Sequence, residues 1–228
     1  MRIGAVRWAT LLLAVVTVAS LALGPGCFRR QAREPVPPSQ PGPAPSETTP
    51  GEEKRAWAVL EPGLKLTYRD GKTGQETWSE QCAASTLDDK EVIPVVAEDG
   101  EYVSYVAEQD GWLVEIGARD PNGRAAWPEP LRRYPLDPAV GMKWETEEEG
   151  GIFRHEIEAI EEVSVPAGKF RAARVVIKVV DPASGKEEPD SEQRFWYDVD
   201  TGIVVKTGDL VLVKQEKVEP RPDPGLPR

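Results

Sequence analysis

The chain has 228 residues, with 28 basic and 39 acidic side chains and a formal charge of −11. That balance repels phosphate backbones and argues against nucleic acid as a partner. One histidine and two cysteines are too few to build a zinc centre or a Cys–His nucleophile pair, and no cofactor fingerprint occurs, so no cofactor and no metal are expected.

Residues 1–26 have the parts of an export signal. Arg2 and Arg7 form a basic start, Ala9 to Leu23 is an uncharged run rich in Leu, Val and Ala, and Gly24-Pro25-Gly26 breaks it. The run is short for a spanning helix, which needs about 20 apolar residues. Pro25 would end a helix there. Cys27 follows Gly26, and the stretch resembles bacterial lipoprotein signal peptides, in which a small residue precedes a lipidated cysteine that becomes the new N-terminus. The resemblance implies lipidation at Cys27, export, and attachment to a membrane on its extracytoplasmic side. An anchor that stays on the chain, or cleavage nearby with Cys27 left as a thiol, is the alternative. Loss of residues 1–26 removes Arg2 and Arg7 and no acid, so the formal charge moves from −11 to −13. Such a domain is repelled by an anionic lipid surface and suits a tether.

Residues 27–55 read as that tether. Pro35, Pro37, Pro38, Pro41, Pro43, Pro45 and Pro50 stand among small and charged residues that cannot bury apolar surface. In the polyproline form, at about 3.1 Å per residue, it would reach roughly 80 Å. Residues 56–217 read as a single β domain, and 218–228, with four prolines, as a disordered tail.

Within 56–217 short alternating runs recur between turn residues, and no long helical period appears. Leu64 to Arg69 and Gln75 to Gln81 flank the loop Asp70 to Gly74. Glu91 to Ala97, Tyr102 to Glu108 and Trp112 to Ala118 are joined through Asp99-Gly100 and Asp110-Gly111, the dipeptide that type I′ hairpin turns favour. On the last of these, Trp112, Val114 and Ile116 share one face, with Glu115 on the other. Arg119 to Val140, with five prolines, reads as an irregular connection holding at most a short edge strand, Leu131 to Tyr134. Further strands are expected at Trp144 to Glu149, Ile152 to Val165, Phe170 to Val180, Glu192 to Val199, Ile203 to Lys206 and Leu210 to Gln215. The fold class is all-β: an antiparallel meander of roughly ten strands, curled or closed over one core.

The C-terminal half carries Tyr134-Pro135-Leu136, Gly141, Trp144, Val165-Pro166-Ala167-Gly168-Lys169-Phe170, and Trp196-Tyr197 through Gly202 to Val205-Lys206. In these motifs it resembles an uncharacterised class of bacterial envelope lipoprotein β domains. The resemblance covers about residues 134–206. It implies a curved antiparallel sheet or lipocalin-like half barrel on an exported protein, and brings no catalytic residues with it.

The residues that invite chemistry have plainer readings. Gly71-Lys72-Thr73 lacks the earlier glycine of a phosphate loop, because Leu66 stands there, and reads as a turn. Asp198, Asp200 and Gly202 lack the remaining ligands of a calcium loop. The acidic residues from Glu145 to Glu162 read as a solvated strand face. Cys82, left alone once Cys27 is lipidated, reads as a small buried residue. His155 sits on an apolar strand face, and Trp196 points opposite to Phe195 and Tyr197; these two are the candidates for ligand contact.

The function expected is that of a lipid-anchored envelope protein with a non-enzymatic domain. It would bind a partner protein, a wall component or an apolar ligand in a sheet cavity. The alternatives are a structural or assembly accessory of an envelope complex, and a carboxylate-dependent hydrolase.

Overall fold

The structure, a computed structural model, describes residues 60–120, 123–148 and 151–225. The signal segment, Cys27 and the tether lie outside the described residues. Thirteen strands follow in chain order: β1 (Leu64–Asp70), β2 (Glu76–Gln81), β3 (Ser85–Leu87), β4 (Lys90–Ala97), β5 (Val103–Gln109), β6 (Trp112–Asp120), β7 (Gly123–Pro135), β8 (Lys143–Glu148), β9 (Gly151–Val165), β10 (Gly168–Val180), β11 (Gln193–Asp198), β12 (Val204–Thr207) and β13 (Leu210–Lys217). The all-β antiparallel architecture is as the alternation predicts, with more strands than the ten expected.

The sheet runs β7-β6-β5-β4-β2-β1-β13-β12-β11-β10-β9-β8, with β3 attached to β4. Hairpins build each half, and the pairing of β1 with β13, from Leu64↔Lys217 to Asp70↔Leu210, joins the halves at the centre. The two ends of the path, β7 and β8, approach each other, so the sheet is nearly closed and barrel-like. Among the described residues no ladder joins these two strands. Side chains bridge them instead: the Trp144 indole N–H donates to the Arg132 carbonyl at 3.1 Å, and Arg133 pairs with Glu148.

Local chemistry explains the hairpins. Asp110 (φ 51°) and Gly111 (φ 77°) both take the left-handed conformation that a type I′ turn requires between β5 and β6. Pro94 lies in an inner strand, where a missing N–H would normally break a ladder. It is tolerated because the neighbour on that side changes there, from β3 against Lys90–Val92 to β2 against Val95–Ala97.

Leu66, Tyr68, Val95, Leu113, Tyr134, Ile157, Val175, Phe195, Tyr197, Ile203 and Leu212 belong to the main core. Tyr134 stacks on Tyr197 with ring centroids 4.5 Å apart, and the Tyr68 hydroxyl donates to the Val204 carbonyl. A second core, of Cys82, Leu87, Val92, Val96, Val103, Tyr105, Val114 and Ile116, lies on the other face of β4–β6. Cys82 is buried there, as expected.

Two expectations are corrected. The irregular connection of Arg119 to Val140 holds a 13-residue strand, β7. Its prolines are tolerated because an edge strand has no partner on its outer side to miss a donor. Trp127 to Pro130 fall in a break of register between Glu115↔Leu131 and Gly117↔Ala126. Glu115 lies on the face of β6 opposite Val114 and Ile116, as the alternation places it, and is 2% exposed because both faces of β6 are covered. The β6–β7 register shifts between Leu113 and Val114, where Arg133 is the extra residue on β7, and again before Gly117. The proline-rich tail is ordered from Val218 to Gly225: Val218 N donates to the Gly63 carbonyl, and Ala83 N to that of Arg221. Asp223 is buried and accepts from Ser85 Oγ at 2.8 Å, Tyr105 OH at 3.3 Å and Gly225 N at 2.7 Å. Those hydrogen bonds supply what composition alone does not show.

Candidate functional site

The densest polar arrangement in the described protein sits where β7 meets β8. Arg133, from β7, donates through Nε (3.0 Å) and Nη2 (2.8 Å) to Glu115 Oε2 on β6. Its Nη1 donates to Glu148 Oε1 on β8 at 2.5 Å. The three side chains are nearly inaccessible, at 10% for Arg133 and 3% for each carboxylate. One guanidinium therefore faces two buried carboxylates.

The chain of contacts continues into β9. The Thr146 hydroxyl donates to Glu148 Oε1 at 3.4 Å and shares a 3.1 Å hydrogen bond with His155 Nε2. A hydroxyl has one proton, so a Thr146 donating to Glu148 accepts from Nε2–H. That leaves His155 Nδ1 as a bare, buried acceptor with no partner. The imidazole stacks on Trp144 at 4.8 Å with planes 8° apart, and Trp144 meets Trp112 edge-on at 5.3 Å. Arg132 lies over Trp112 at 5.2 Å.

Burial governs the ionisation here. It pulls His155 down to about 3, with a further push from Arg133, so the ring is neutral. Burial raises the Glu115 carboxyl, against the pull of Arg133, and the nearby Glu148 adds to the rise. Arg133 is itself penalised by burial, but Glu115 and Glu148 more than offset this and hold it charged. Burial also raises Tyr102, with Glu115 contributing. Three acceptors in the cluster have no hydrogen-bond partner: Glu115 Oε1, Glu148 Oε2 and His155 Nδ1. Trp127 Nε1, also buried, faces Glu115 and pulls its carboxyl down against the burial.

Trp196 lies elsewhere, on the outer face. It is half-buried, its Nε1 donates to Glu161 Oε1 at 2.7 Å, and Lys206 Nζ sits 4.7 Å over its ring. Arg174 pairs with Glu161 and Glu158 beside it. Glu161 also borders an open groove of about 380 Å³ formed by Ile160, Glu162, Lys169, Phe170 and Arg171 on the β9–β10 hairpin. His155 and Trp196 are therefore not brought together. One is packed inside with Trp144, and the other faces outward with its polar atom already bonded.

Asp198 is buried beside Thr201, with which it hydrogen-bonds, and burial raises its carboxyl. Its partner is a turn hydroxyl. Among the described residues, no three His, Cys, Asp or Glu side chains are grouped to hold a metal ion. Most of the acidic run is exposed or half-exposed; Glu148 is the exception, through Arg133.

Sequence reasoning reached His155 and missed Glu115, Arg133, Thr146 and Glu148 as a set. A signal was present: Glu115 is the only charge in Trp112-Leu113-Val114-Glu115-Ile116. A lone carboxylate inside such an apolar run needs a buried partner.

No family model and no curated protein matches the sequence. Among solved structures, the chain is similar to a protein from Parabacteroides distasonis described as a putative lipoprotein. The two are 13% identical over 69% of this chain and 96% of that one, with a TM-score of 0.34.

Proposed function

We propose that the protein is an exported, lipid-anchored envelope protein whose β domain acts by binding a partner protein and not by catalysis. Arg2, Arg7, the apolar run and Cys27 support export and attachment. Two or more acyl chains at one terminus make attachment stable, where a single chain is marginal.

The observation that carries the binding reading is the use of the buried ionisable groups. Arg133 takes both Glu115 and Glu148, and His155 is neutral and packed on Trp144. Catalytic carboxylates face a cleft that admits substrate; these face the Arg133 guanidinium. The main core is filled by Tyr68, Tyr134, Tyr197 and their aliphatic neighbours. The groove beside Phe170 lies on the outer hairpin, edged by both acids and bases. A filled interior with an outward aromatic favours a protein partner over an apolar ligand held inside.

Two measurements test the proposal. Cys27→Ala is expected to lose acylation and leave the membrane fraction; unchanged mature mass and attachment reject the anchor. A photo-crosslinking residue in place of Trp196, in intact cells, is expected to give a discrete protein adduct that the same residue at Lys72 does not. No adduct, or the same adduct from both positions, rejects the binding face.

A further inference from the structure

The seam between β7 and β8 is bridged by side chains, but β9 has a further edge that nothing bridges. Its ladder with β8 runs from Glu148↔Gly151 to Lys143↔Glu156, and Gly141 and Met142 bond to Ile157 just beyond. From Glu158 to Val165 the strand pairs with β10, ending at Val165↔Gly168. Among the described residues nothing bonds to the opposite edge of this stretch.

The ladders also fix which backbone groups that edge presents. Asp198 N donates to the Ile203 carbonyl, so Tyr197 turns its own N–H and C=O toward β10, and Ala173 opposite it turns toward β11. Ile160 lies opposite Ala173 on the other side, so its N–H and C=O point away from β10. The Arg171 carbonyl accepts from Val199 N, which gives the same direction for Glu162, its partner on β9. Ser164 follows by alternation. Ile160, Glu162 and Ser164 therefore hold out donors and acceptors in the spacing of a ladder, and such an edge takes an extended chain as one more strand.

Side chains decide which chain fits. Between His155 and Gly168 the sequence carries Glu156, Glu158, Glu161 and Glu162 and no Lys or Arg. Glu161 is taken up by Trp196 Nε1 and Arg174. Glu162 is 70% accessible at its side chain and meets Lys169 at 3.5 Å. A second copy of the chain is a poor occupant. Antiparallel pairing that uses all three residues sets Ile160 opposite Ser164 and Glu162 directly opposite Glu162 of the copy, and like charges across a ladder repel. The stretch from Pro35 to Pro50 is no better, because its prolines have no N–H to donate. The charge that repels a copy attracts a basic strand, and the formal charge of −11 steers one in.

We propose that the edge of β9 from Glu158 to Val165 is a strand-addition site for an extended, proline-poor, basic segment of a partner protein. The segment pairs antiparallel with Ile160, Glu162 and Ser164 and sets a Lys or Arg opposite Glu162. This rests on the reading that the domain binds a protein, and adds where that protein docks and what its chemistry is. Glu161, bonded to Trp196, joins the edge to the outward face.

The probe is a synthetic peptide, acetyl-Thr-Lys-Val-Lys-Val-Lys-Thr-amide. Its controls carry Glu for each Lys, or a methyl group on the backbone nitrogen of the central Lys. Amide exchange is followed by NMR in the full chain held in detergent, with β1 and β13 as the folded reference. The amides of Ile160, Glu162 and Ser164 are expected to exchange freely in the protein alone and to slow with the basic peptide, and neither control should slow them. Glu162→Pro removes an N–H that faces away from β10, where proline is tolerated, and should lose the protection at Ile160 and Ser164. Glu162→Lys should exchange the preference for that of the acidic peptide. Edge amides protected without peptide, independently of protein concentration, would name the chain's own tether as occupant; protection that grows with protein concentration would name a second copy. Either overturns the proposal. So does a basic peptide that gives no protection, or a methylated one that protects as well. A Trp196 adduct that persists beside any of these failures removes the edge alone and leaves the binding reading standing.

Discussion

Removing the guanidinium from the seam isolates what it does. Arg133→Met keeps an unbranched side chain of similar reach and deletes three charge-assisted hydrogen bonds, two to Glu115 and one to Glu148. Both carboxylates, each 3% accessible, are then left without a cation. Breaking a buried ion pair on one side costs about 3–5 kcal/mol. Three such bonds at roughly 1.5–3 kcal/mol each would give more. The lower range is the better expectation, because a buried carboxylate limits its cost by taking up a proton. In urea unfolding followed by tryptophan fluorescence, with a slope of about 2 kcal/mol per molar, the midpoint should fall by roughly 1.5–2.5 M at pH 7. Burial already raises the Glu115 carboxyl, and loss of Arg133 removes the pull against that rise. The stability is then present at low pH and lost as pH rises, so the deficit should shrink on acidification from pH 7 to pH 5. The triple variant Arg133→Met, Glu115→Gln, Glu148→Gln removes the stranded charges and should recover at least half the loss. A deficit below about 1 kcal/mol, or a triple variant no better than the single one, would refute the reasoning.

Two further outcomes follow from the packing. Trp144→Ala removes the ring that stacks on His155, meets Trp112 and donates to the Arg132 carbonyl, and should cost about 3–5 kcal/mol in the same assay; a loss under about 1 kcal/mol would show that the ring is not part of the core. Cys82 is buried, and burial raises its thiol despite the nearby Arg221. It should resist a bulky thiol reagent in the native protein and react promptly in urea; equal rates in both would place the thiol at the surface.

Much of the sheet was legible because its signals are local. Alternation located β1, β2, β4, β5, β6 and β8 to β13 to within a few residues, and Asp110-Gly111 adopts the turn its dipeptide predicts. What escaped depends on distant partners. β7 is rich in proline, which signals irregular chain unless the strand's edge position is known. The ordering of Val218 to Gly225 depends on Asp223 meeting Ser85 and Tyr105, residues more than a hundred positions earlier. The seam cluster was half legible. His155 stood out as a polar residue on an apolar face, whereas Arg133 acquires its meaning only when Glu115 and Glu148 converge on it. Alternation puts Glu115 opposite Val114 and Ile116, but that both faces of β6 are covered shows only in the fold.

The central pairing of β1 with β13 also bears on how the protein is made. The first strand of the domain to emerge waits for the last before its outer edge is satisfied. Until then the unfinished chain presents the edge of β1 in addition to that of β7, both templates for strand addition by another chain. Joining the extremes of a domain is slow, since loop closure precedes any gain from the contact. Assembly is therefore completed only when Leu210 to Lys217 arrives, and a chain truncated before that strand would be left as an aggregation-prone intermediate.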